Sequence, residues 1–348
     1  MQTFILLAGM AIGLTALFWM FYWMIHEFNY ENIHVNSDRI FRVELQLNNP
    51  EGTQYGSATP TPLAPLLKRE YPEVINAARV HPFAEITLHS GERSFTENRI
   101  MAVDPSFLSI FTFKPVYGSL QGALDAENAV VLTETVSEKY FGIGVNPVGK
   151  RLGINEEQSL AIRAVIQDLP TYTHLNFEML ITLKLADRMG REIAPEQWHR
   201  FDEIHTYIHV ADNVSWRELE EKIAPIHSTF INDSNDQLYL RPLKNIHFAI
   251  DVIHDFASHT DKRMLYGLTF ISLLVFIMAC INFITLTSAL TFKHRTAIDL
   301  RKVYGAERIH IVKLIMTKAL LYSGIAAIAA LICISLSKPF FATLTSQS

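Results

Sequence analysis

The chain has 348 residues, of which 49% are hydrophobic and 19% charged, and its formal net charge is −5. This total hides an asymmetry, because residues 28–262 carry 21 basic and 32 acidic side chains whereas residues 263–348 carry 9 basic and 2 acidic ones. Nucleic-acid binding needs a basic face, so we expect no nucleic-acid partner for the acidic region. Both cysteines, Cys280 and Cys333, lie in apolar stretches outside residues 28–262, so we expect no disulfide framework in the acidic region.

Three long stretches contain no Asp, Glu, Lys or Arg: residues 1–26, 264–292 and 319–337. A helix of about 20 apolar residues spans the hydrocarbon core of a bilayer, and a charge at mid-bilayer costs roughly 3 kcal/mol. The sequence therefore predicts a membrane protein with three transmembrane helices and one large domain outside the bilayer. The predicted helices are residues 1–27, 263–292 and 311–337, and the large domain is residues 28–262.

The topology follows from the short segment 293–310, which is rich in Lys and Arg. Short basic loops stay in the cytoplasm. This predicts a cytoplasmic N-terminus, an extracytoplasmic large domain and an extracytoplasmic tail at residues 338–348.

The first apolar stretch reads as a retained helix, because it lacks a basic start and its apolar core is longer than that of a signal peptide. The sequence AGMAIG, residues 8–13, places small residues on one helix face, which permits close packing against another helix. Alternatively, the small residues form a stripe without a partner. Trp19, Tyr22 and Trp23 suit the aromatic belt at the outer membrane boundary.

In chain order, the large domain shows short strand and helix patterns, which predict an α+β domain of one or two lobes. The pattern of residues 39–47, RIFRVELQL, alternates as a half-buried strand does. An amphipathic helix is predicted at residues 215–230, with Leu219 and Ile223 on its apolar face. Further strands are predicted within residues 85–90, 99–104, 129–133, 146–154, 160–170, 198–212 and 237–248, and further helices within residues 59–72 and 134–142.

The sequence shows no catalytic, cofactor or metal site. His205 and His209 lie on one face of a predicted strand, about 13 Å apart at 3.3 Å per residue, which is too far for one metal ion. The glycine-rich residues 142–150, GIGVNPVGK, lack the GK[ST] ending of a phosphate loop and predict a turn. We therefore expect a protein that is not an enzyme.

Residues 292–314, FKHRTAIDLRKVYGAERIHIVKL, predict a helix leaving the membrane, a turn at Gly305 and a second helix re-entering it. One interpretation is that the basic residues only fix the topology. The other is that a cytoplasmic partner pushes on this segment.

Residues 279–314 resemble the core of FtsX-like, MacB-type ABC transporter permeases, in which an Asn-Phe pair in the second span precedes an Arg-Lys-Val-x-Gly-Ala loop. The large domain also resembles the MacB-like periplasmic core domain of that family, and most closely its two-repeat Bacteroidetes-type members. The matching positions are Asn282, Phe283, Arg301, Lys302, Val303, Gly305 and Ala306.

The resemblance implies a permease subunit in the bacterial inner membrane, with the large domain in the periplasm. It implies that a separate cytoplasmic ABC ATPase dimer binds the ATP and presses on a coupling loop around Arg301, Lys302, Val303, Gly305 and Ala306. A second permease copy or half and the membrane lipid are the further partners, and the outcome is efflux or mechanotransmission. Asn282 and Phe283 are implied to pack within the membrane.

The chain departs from the family pattern in two places. Ala297 and Asp299 stand where the family loop carries Glu and Gly, which bears on the strength of the ATPase contact. The family has four spans, and the predicted third span is followed only by the tail, so we expect a truncated chain, a split half or a fragment. Two other functions stay open: a membrane-anchored extracytoplasmic sensor or binding module, and a membrane-tethered exported enzyme.

Overall fold

A computed structural model describes residues 2–49, 52–83, 85–91, 93–154, 158–190, 193, 198, 203–230, 236–293 and 308–345. The chain divides into two compact units. Residues 1–29 together with 261–348 form one, which we call the membrane unit, and residues 30–260 form the other, which we call the large domain.

The helices begin and end as follows: α1 (Gln2–Phe28), α2 (Leu63–Glu70), α3 (Phe107–Ile110), α4 (Glu134–Phe141), α5 (Leu183–Arg188), α6 (Trp216–Ile223), α7 (Ile226–Phe230), α8 (Leu243–Ile246), α9 (Lys262–Lys293) and α10 (Arg308–Thr345). The strands are β1 (Ile40–Asn49), β2 (Gly52–Gly56), β3 (Val74–Phe83), β4 (Ile86–Ser90), β5 (Arg93–Glu97), β6 (Ile100–Val103), β7 (Pro115–Gly118), β8 (Ala129–Thr133), β9 (Arg151–Gly153), β10 (Ser159–Ile166), β11 (Met179–Thr182), β12 (His205–Val210), β13 (Gln237–Pro242) and β14 (Val252–Ile253).

The membrane unit contains three helices that are long and apolar enough to cross a bilayer, within the part of the chain that the structure describes. Their apolar windows are Leu7–Phe28 in α1, Lys262–Thr285 in α9 and Met316–Pro339 in α10. The prediction of three transmembrane helices is confirmed. Helix α10 continues through Pro339 to Thr345, so most of the tail predicted at residues 338–348 is helical. Its residues are apolar enough to extend the helix, and membrane helices tolerate proline.

The described residues of the large domain form one mixed sheet of fourteen strands, which confirms the predicted α+β class. Most of the order is β14-β2-β1-β12-β3-β6-β11-β8-β10-β9-β4-β5, with β13 on β1 and β7 on β10. The pairs β6–β11, β8–β10 and β2–β14 are parallel, and the other pairs are antiparallel. Strand β1 pairs with β12 and β2 along one edge and with β13 along the other, so it lies at the centre of its end of the sheet.

Helices α2, α6 and α7 cover one face of β1, β12 and β13. Phe41 and Val43 of β1 pack there against Leu219 and Ile223 of α6, all of them 0–1% exposed, which confirms the predicted apolar face of the helix. Each fully buried aliphatic side chain contributes about 1.5–3 kcal/mol to folding. A second apolar core, at the β8–β10 end of the sheet, lies under α4 and α5. The opposite face of β1 is buried as well, and charged side chains fill it.

Candidate functional site

The predicted coupling loop joins two long apolar helices. Helix α9 ends at Lys293 and α10 begins at Arg308. The loop residues lie in the segment 294–307, outside the described residues, and their assigned role stays a prediction: Arg301, Lys302, Val303, Gly305 and Ala306.

Helices α1 and α9 approach each other closely where α1 has small residues. A Cβ on Gly13 would lie 2.8 Å from the Cβ of Ala279, closer than side chains pack, and Ala11 is only 3% exposed. The small residues of α1 therefore have a partner helix, since only glycine permits this approach. A Cβ on Gly9 would lie 3.5 Å from the Asn282 amide nitrogen.

Asn282 thus lies beside α1, on an exposed part of α9, and Phe283 next to it is half-buried. The packing role implied for this pair stays a prediction.

Helix α10 packs on α1 through small residues and two hydrogen bonds. Ala326 and Ala330 are at most 4% exposed, and the Thr15 hydroxyl lies 3.5 Å from the Ala330 carbonyl. The Trp19 indole donates to the Ser337 hydroxyl at 2.9 Å. Trp19 is 8% exposed, so its indole packs between helices. The place of Trp19, Tyr22 and Trp23 in the aromatic belt stays a prediction.

The polar face of β1 carries a buried group of charges. Five charged side chains form what we call the ionic cluster: Glu31, Arg42, Glu44, Arg241 and Asp255. The cross-strand register brings three of them together, because Arg42 lies opposite Arg241 of β13 and Glu44 lies two residues further along β1. Side chains two residues apart on a strand point to the same face.

Arg42 is the centre of the ionic cluster and is fully buried. Its Nε and Nη2 lie 2.9 and 2.6 Å from Glu44 Oε1. Its Nη1 and Nη2 lie 2.8 and 2.6 Å from the two oxygens of Asp255. Arg241 Nε donates to the second oxygen of Glu44 at 2.7 Å. One guanidinium thus joins two carboxylates, and the planar fork of arginine suits this geometry.

Glu31 forms a separate part of the ionic cluster, where polar groups outside the sheet surround its carboxylate. Its carboxylate accepts hydrogen bonds from the Thr173 hydroxyl at 2.9 Å, the His174 backbone N–H at 2.6 Å and His174 Nδ1 at 2.7 Å. His34 Nε2 lies 3.4 Å away. An ionised carboxylate only accepts hydrogen bonds, so we assign the proton of this contact to His174 Nδ1.

Tyr207 connects the two parts of the ionic cluster. Its hydroxyl lies 2.7 Å from His174 Nε2. In the ladder between β1 and β12 it stands directly opposite Arg42. A path of contacts therefore runs from Glu31 through His174 and Tyr207 to Arg42 and Asp255.

The electrostatics keep Glu31, Arg42 and Asp255 charged despite their burial. Burial raises the pKa of Glu31, but the charge and hydrogen bonds of His174, with His34, outweigh it and hold that pKa well below its ordinary value. For Asp255, burial is likewise outweighed by His259 and Arg42, which lower the pKa of the carboxyl. The carboxylates in turn raise the pKa of Arg42 against the effect of burial.

Sequence reasoning missed the ionic cluster. The alternation of residues 39–47 predicted a half-buried strand. The strand is confirmed as β1, but its half-burial is wrong, since Arg42 and Glu44 are 0% exposed. His205, which the spacing argument placed on a strand, is also buried, and its Nδ1 lies 3.1 Å from the Ser57 carbonyl oxygen.

The ionic cluster can fix the relative positions of the segments that it joins. It is not placed to bind a dissolved substrate, because its charged groups are buried away from solvent. Within the described ranges, no three His, Cys, Asp or Glu residues are placed to hold a metal ion.

Comparison with known proteins identifies both units. Residues 3–226 match the MacB-like periplasmic core domain, and residues 269–348 match the FtsX-like permease C-terminal domain. No curated protein matches the chain.

Among solved structures, the fold of a domain of a putative permease protein from Porphyromonas gingivalis is similar, with a TM-score of 0.51 and 20% identity over 60% of this chain and 92% of that one. The periplasmic region of MacB from Actinobacillus actinomycetemcomitans aligns with a TM-score of 0.42 and 13% identity over 60% of this chain and 89% of that one. The extracellular domain of the noncanonic ABC-type transporter YknZ from Gram-positive bacteria aligns with a TM-score of 0.41 and 12% identity, over 57% and 99%.

The first family match alone covers more than half of the chain, and the second falls on the helices and the basic segment that the first leaves out. Three apolar helices and a periplasmic-type domain together describe a membrane protein with an extracytoplasmic domain. The chain belongs to the MacB/FtsX-like family of ABC transporter permeases.

Proposed function

We propose that this permease subunit couples ATP hydrolysis by a separate cytoplasmic ABC ATPase dimer to movement of its large domain, for efflux or mechanotransmission. ATP is bound by the partner, and this chain contributes no catalytic residue and binds no cofactor. The permease works with a second copy or half in the bacterial inner membrane, with the large domain in the periplasm.

The observation that carries this proposal is the continuity of α9. The helix runs unbroken for 32 residues, from Lys262 just after the large domain to Lys293 at the basic segment. At 1.5 Å per residue it is about 48 Å long, more than the roughly 30 Å of bilayer hydrocarbon. A rigid element of this length moves both of its ends when one end is pushed.

The experiment is affinity purification of the full chain from its native membrane, with mass spectrometry of the proteins that accompany it. A stoichiometric ATP-binding subunit supports the proposal. Recovery without any ATPase contradicts it and favours the sensor alternative.

A charge-reversed variant then tests the coupling loop. We expect Arg301→Glu with Lys302→Glu to lose the ATPase while membrane insertion is kept. The matched control reverses Lys262 and Arg263, an adjacent basic pair at the other end of α9, and should keep the ATPase. Normal recovery of the ATPase with the loop variant would contradict the coupling role assigned to Arg301 and Lys302.

A further inference from the structure

The chain enters and leaves the large domain through two short segments. We call residues 30–34, which follow α1, the first connector, and residues 254–260, which precede α9, the second connector. The ionic cluster takes Glu31 from the first connector and Asp255 from the second, and its other members come from β1 and β13. Asp255 thus contacts the sheet face directly through Arg42, and Glu31 is linked to the same face through His174 and Tyr207.

Ring stacking and hydrogen bonds also tie the connectors together. Tyr30 of the first connector stacks on His247 with ring centroids 3.7 Å apart, and His247 Nδ1 lies 3.1 Å from the Ser258 carbonyl oxygen of the second connector. The Tyr30 hydroxyl lies 3.5 Å from the Ser258 hydroxyl and donates to the Thr173 carbonyl at 3.0 Å. The two connectors are therefore joined by two routes, one through the ionic cluster and one through ring stacking and hydrogen bonds.

Backbone strain marks the same two segments. Glu31 and His254 have φ angles of +65° and +54°, and they are two of the three described non-glycine residues with positive φ. Residues with a Cβ adopt this conformation at a cost of roughly 1–3 kcal/mol, and it persists where surrounding contacts fix it. One such residue lies in each connector, so both connectors are held in shapes that the chain would not adopt by itself.

Stability alone does not account for the ionic cluster. Taking an ion out of water costs several kcal/mol, and well-packed apolar residues in place of a buried ion pair are often as stabilising or more so. What a paired guanidinium and carboxylate add is directional geometry. The value of the cluster therefore lies in fixing positions.

We propose that the ionic cluster, together with His174 and Tyr207, forms a joint. This joint holds both connectors and strands β1 and β12 as one body. A displacement that arrives through either membrane helix then reaches the same sheet face. These are positioning residues for the coupling movement. The purpose of the joint rests on the proposed function, whereas its existence does not.

The test is hydrogen exchange with mass spectrometry on the full chain in lipid nanodiscs, which needs no ATPase. We expect Glu31→Gln, a change in the first connector, to accelerate amide exchange roughly tenfold in the second connector as well as in the first. Asp255→Asn, a change in the second connector, should likewise accelerate exchange in the first connector. An effect confined to the connector that carries the substitution would overturn the joint.

Two further variants separate the joint from general unfolding. Asp104→Asn removes a bidentate partner of Arg79 elsewhere in the large domain and should accelerate exchange only near its own site. Thr173→Val removes one hydrogen bond to Glu31 but keeps the carboxylates of both Glu31 and Asp255. It therefore replaces Glu31→Gln as the test if that variant fails to fold. It should accelerate exchange in both connectors by a smaller factor, and an unchanged second connector would again overturn the joint.

The same exchange measurement separates the joint from the coupling function. If an ATPase is recovered, adding ATP with vanadate should change exchange in both connectors of the wild-type complex together. A change in one connector alone would contradict the joint. If no ATPase is recovered, the proposed function fails, while the variants in the isolated chain still decide whether the joint exists.

Discussion

Strands β1 and β4 both alternate apolar with polar residues, yet their polar faces meet different surroundings. In β4, Leu88 is buried while Thr87 and His89 are exposed. In β1, Arg42 and Glu44 are as buried as their apolar neighbours. The difference lies in what covers the sheet. Asp255 of the second connector binds Arg42 on the polar face of β1, and Glu31 of the first connector reaches that face through His174 and Tyr207. Burial of charge therefore follows from how the chain enters and leaves the large domain.

The largest effect that tests this contrast should come from Arg42→Met. The change leaves the carboxylates of Glu44 and Asp255 without their shared partner, so we expect a loss of about 3–5 kcal/mol in the opening free energy of the large domain. Hydrogen exchange of the full chain in nanodiscs measures it. Arg79→Met, which breaks a half-buried pair with Asp104, is the control and should cost about 1–2 kcal/mol. Equal losses for Arg42→Met and Arg79→Met would mean that Arg42 stabilises the large domain no more than a half-buried ion pair does.

Conservative substitutions on the two faces of β1 sharpen the contrast. Arg42→Lys keeps the charge but loses the planar fork, and should cost roughly 2 kcal/mol. Leu45→Met keeps the volume of the apolar face and should cost less than about 1.5 kcal/mol. The same exchange measurement compares them. A larger loss for Leu45→Met would show that packing, and not hydrogen-bond geometry, dominates at this strand.

Local patterns predicted many elements of this protein, but not β3, β11 or α5, and the helix predicted at residues 215–230 is α6 followed by α7. The three membrane helices follow from stretches without charge, and α6 follows from the spacing of Leu219 and Ile223. Period-two alternation likewise located β1. These signals are local, because the side chains of one helix or strand report its own periodicity.

The ionic cluster could not be predicted in the same way. Alternation shows that a strand has two different faces, but it does not show what covers the polar one. Glu31 and His174 lie 143 positions apart in the chain, and only the fold brings them together. One signal was present, since Arg42 and Glu44 place opposite charges two residues apart on one strand face. The coupling loop lies outside the described residues, so it stays a prediction from sequence.

The pH dependence of stability gives a further comparison of the two environments. Burial, and after it the charge of Arg42, lowers the pKa of His205 to about 3. An unfolded histidine titrates near pH 6.5, so between these values the unfolded chain binds the extra proton and stability falls as the pH falls. From pH 6.5 to 4.5, we expect the wild type to lose up to about 1.4 kcal/mol per pH unit more than His205→Gln.

Most of this window lies above the range in which Glu31 and Asp255 add their own dependence, because their unfolded carboxyls titrate near pH 4.5 and 3.8. Exchange rates corrected for the intrinsic rate at each pH give the slope. Parallel slopes for wild type and His205→Gln would show that this histidine is accessible to protons in the folded protein.

The smallest expected difference comes from one substitution made at a buried and at an exposed strand position. The Thr206 hydroxyl on β12 is buried and lies 2.7 Å from the Thr59 hydroxyl, whereas the Thr87 hydroxyl on β4 is exposed and lies 3.0 Å from that of Thr96. Thr206→Val removes a buried hydrogen bond and should cost about 1 kcal/mol. Thr87→Val should change stability by less than about 0.5 kcal/mol, because water replaces the lost partner. Exchange of the β3–β12 and β4–β5 amides measures both, and equal costs would mean that the cover over β12 admits water.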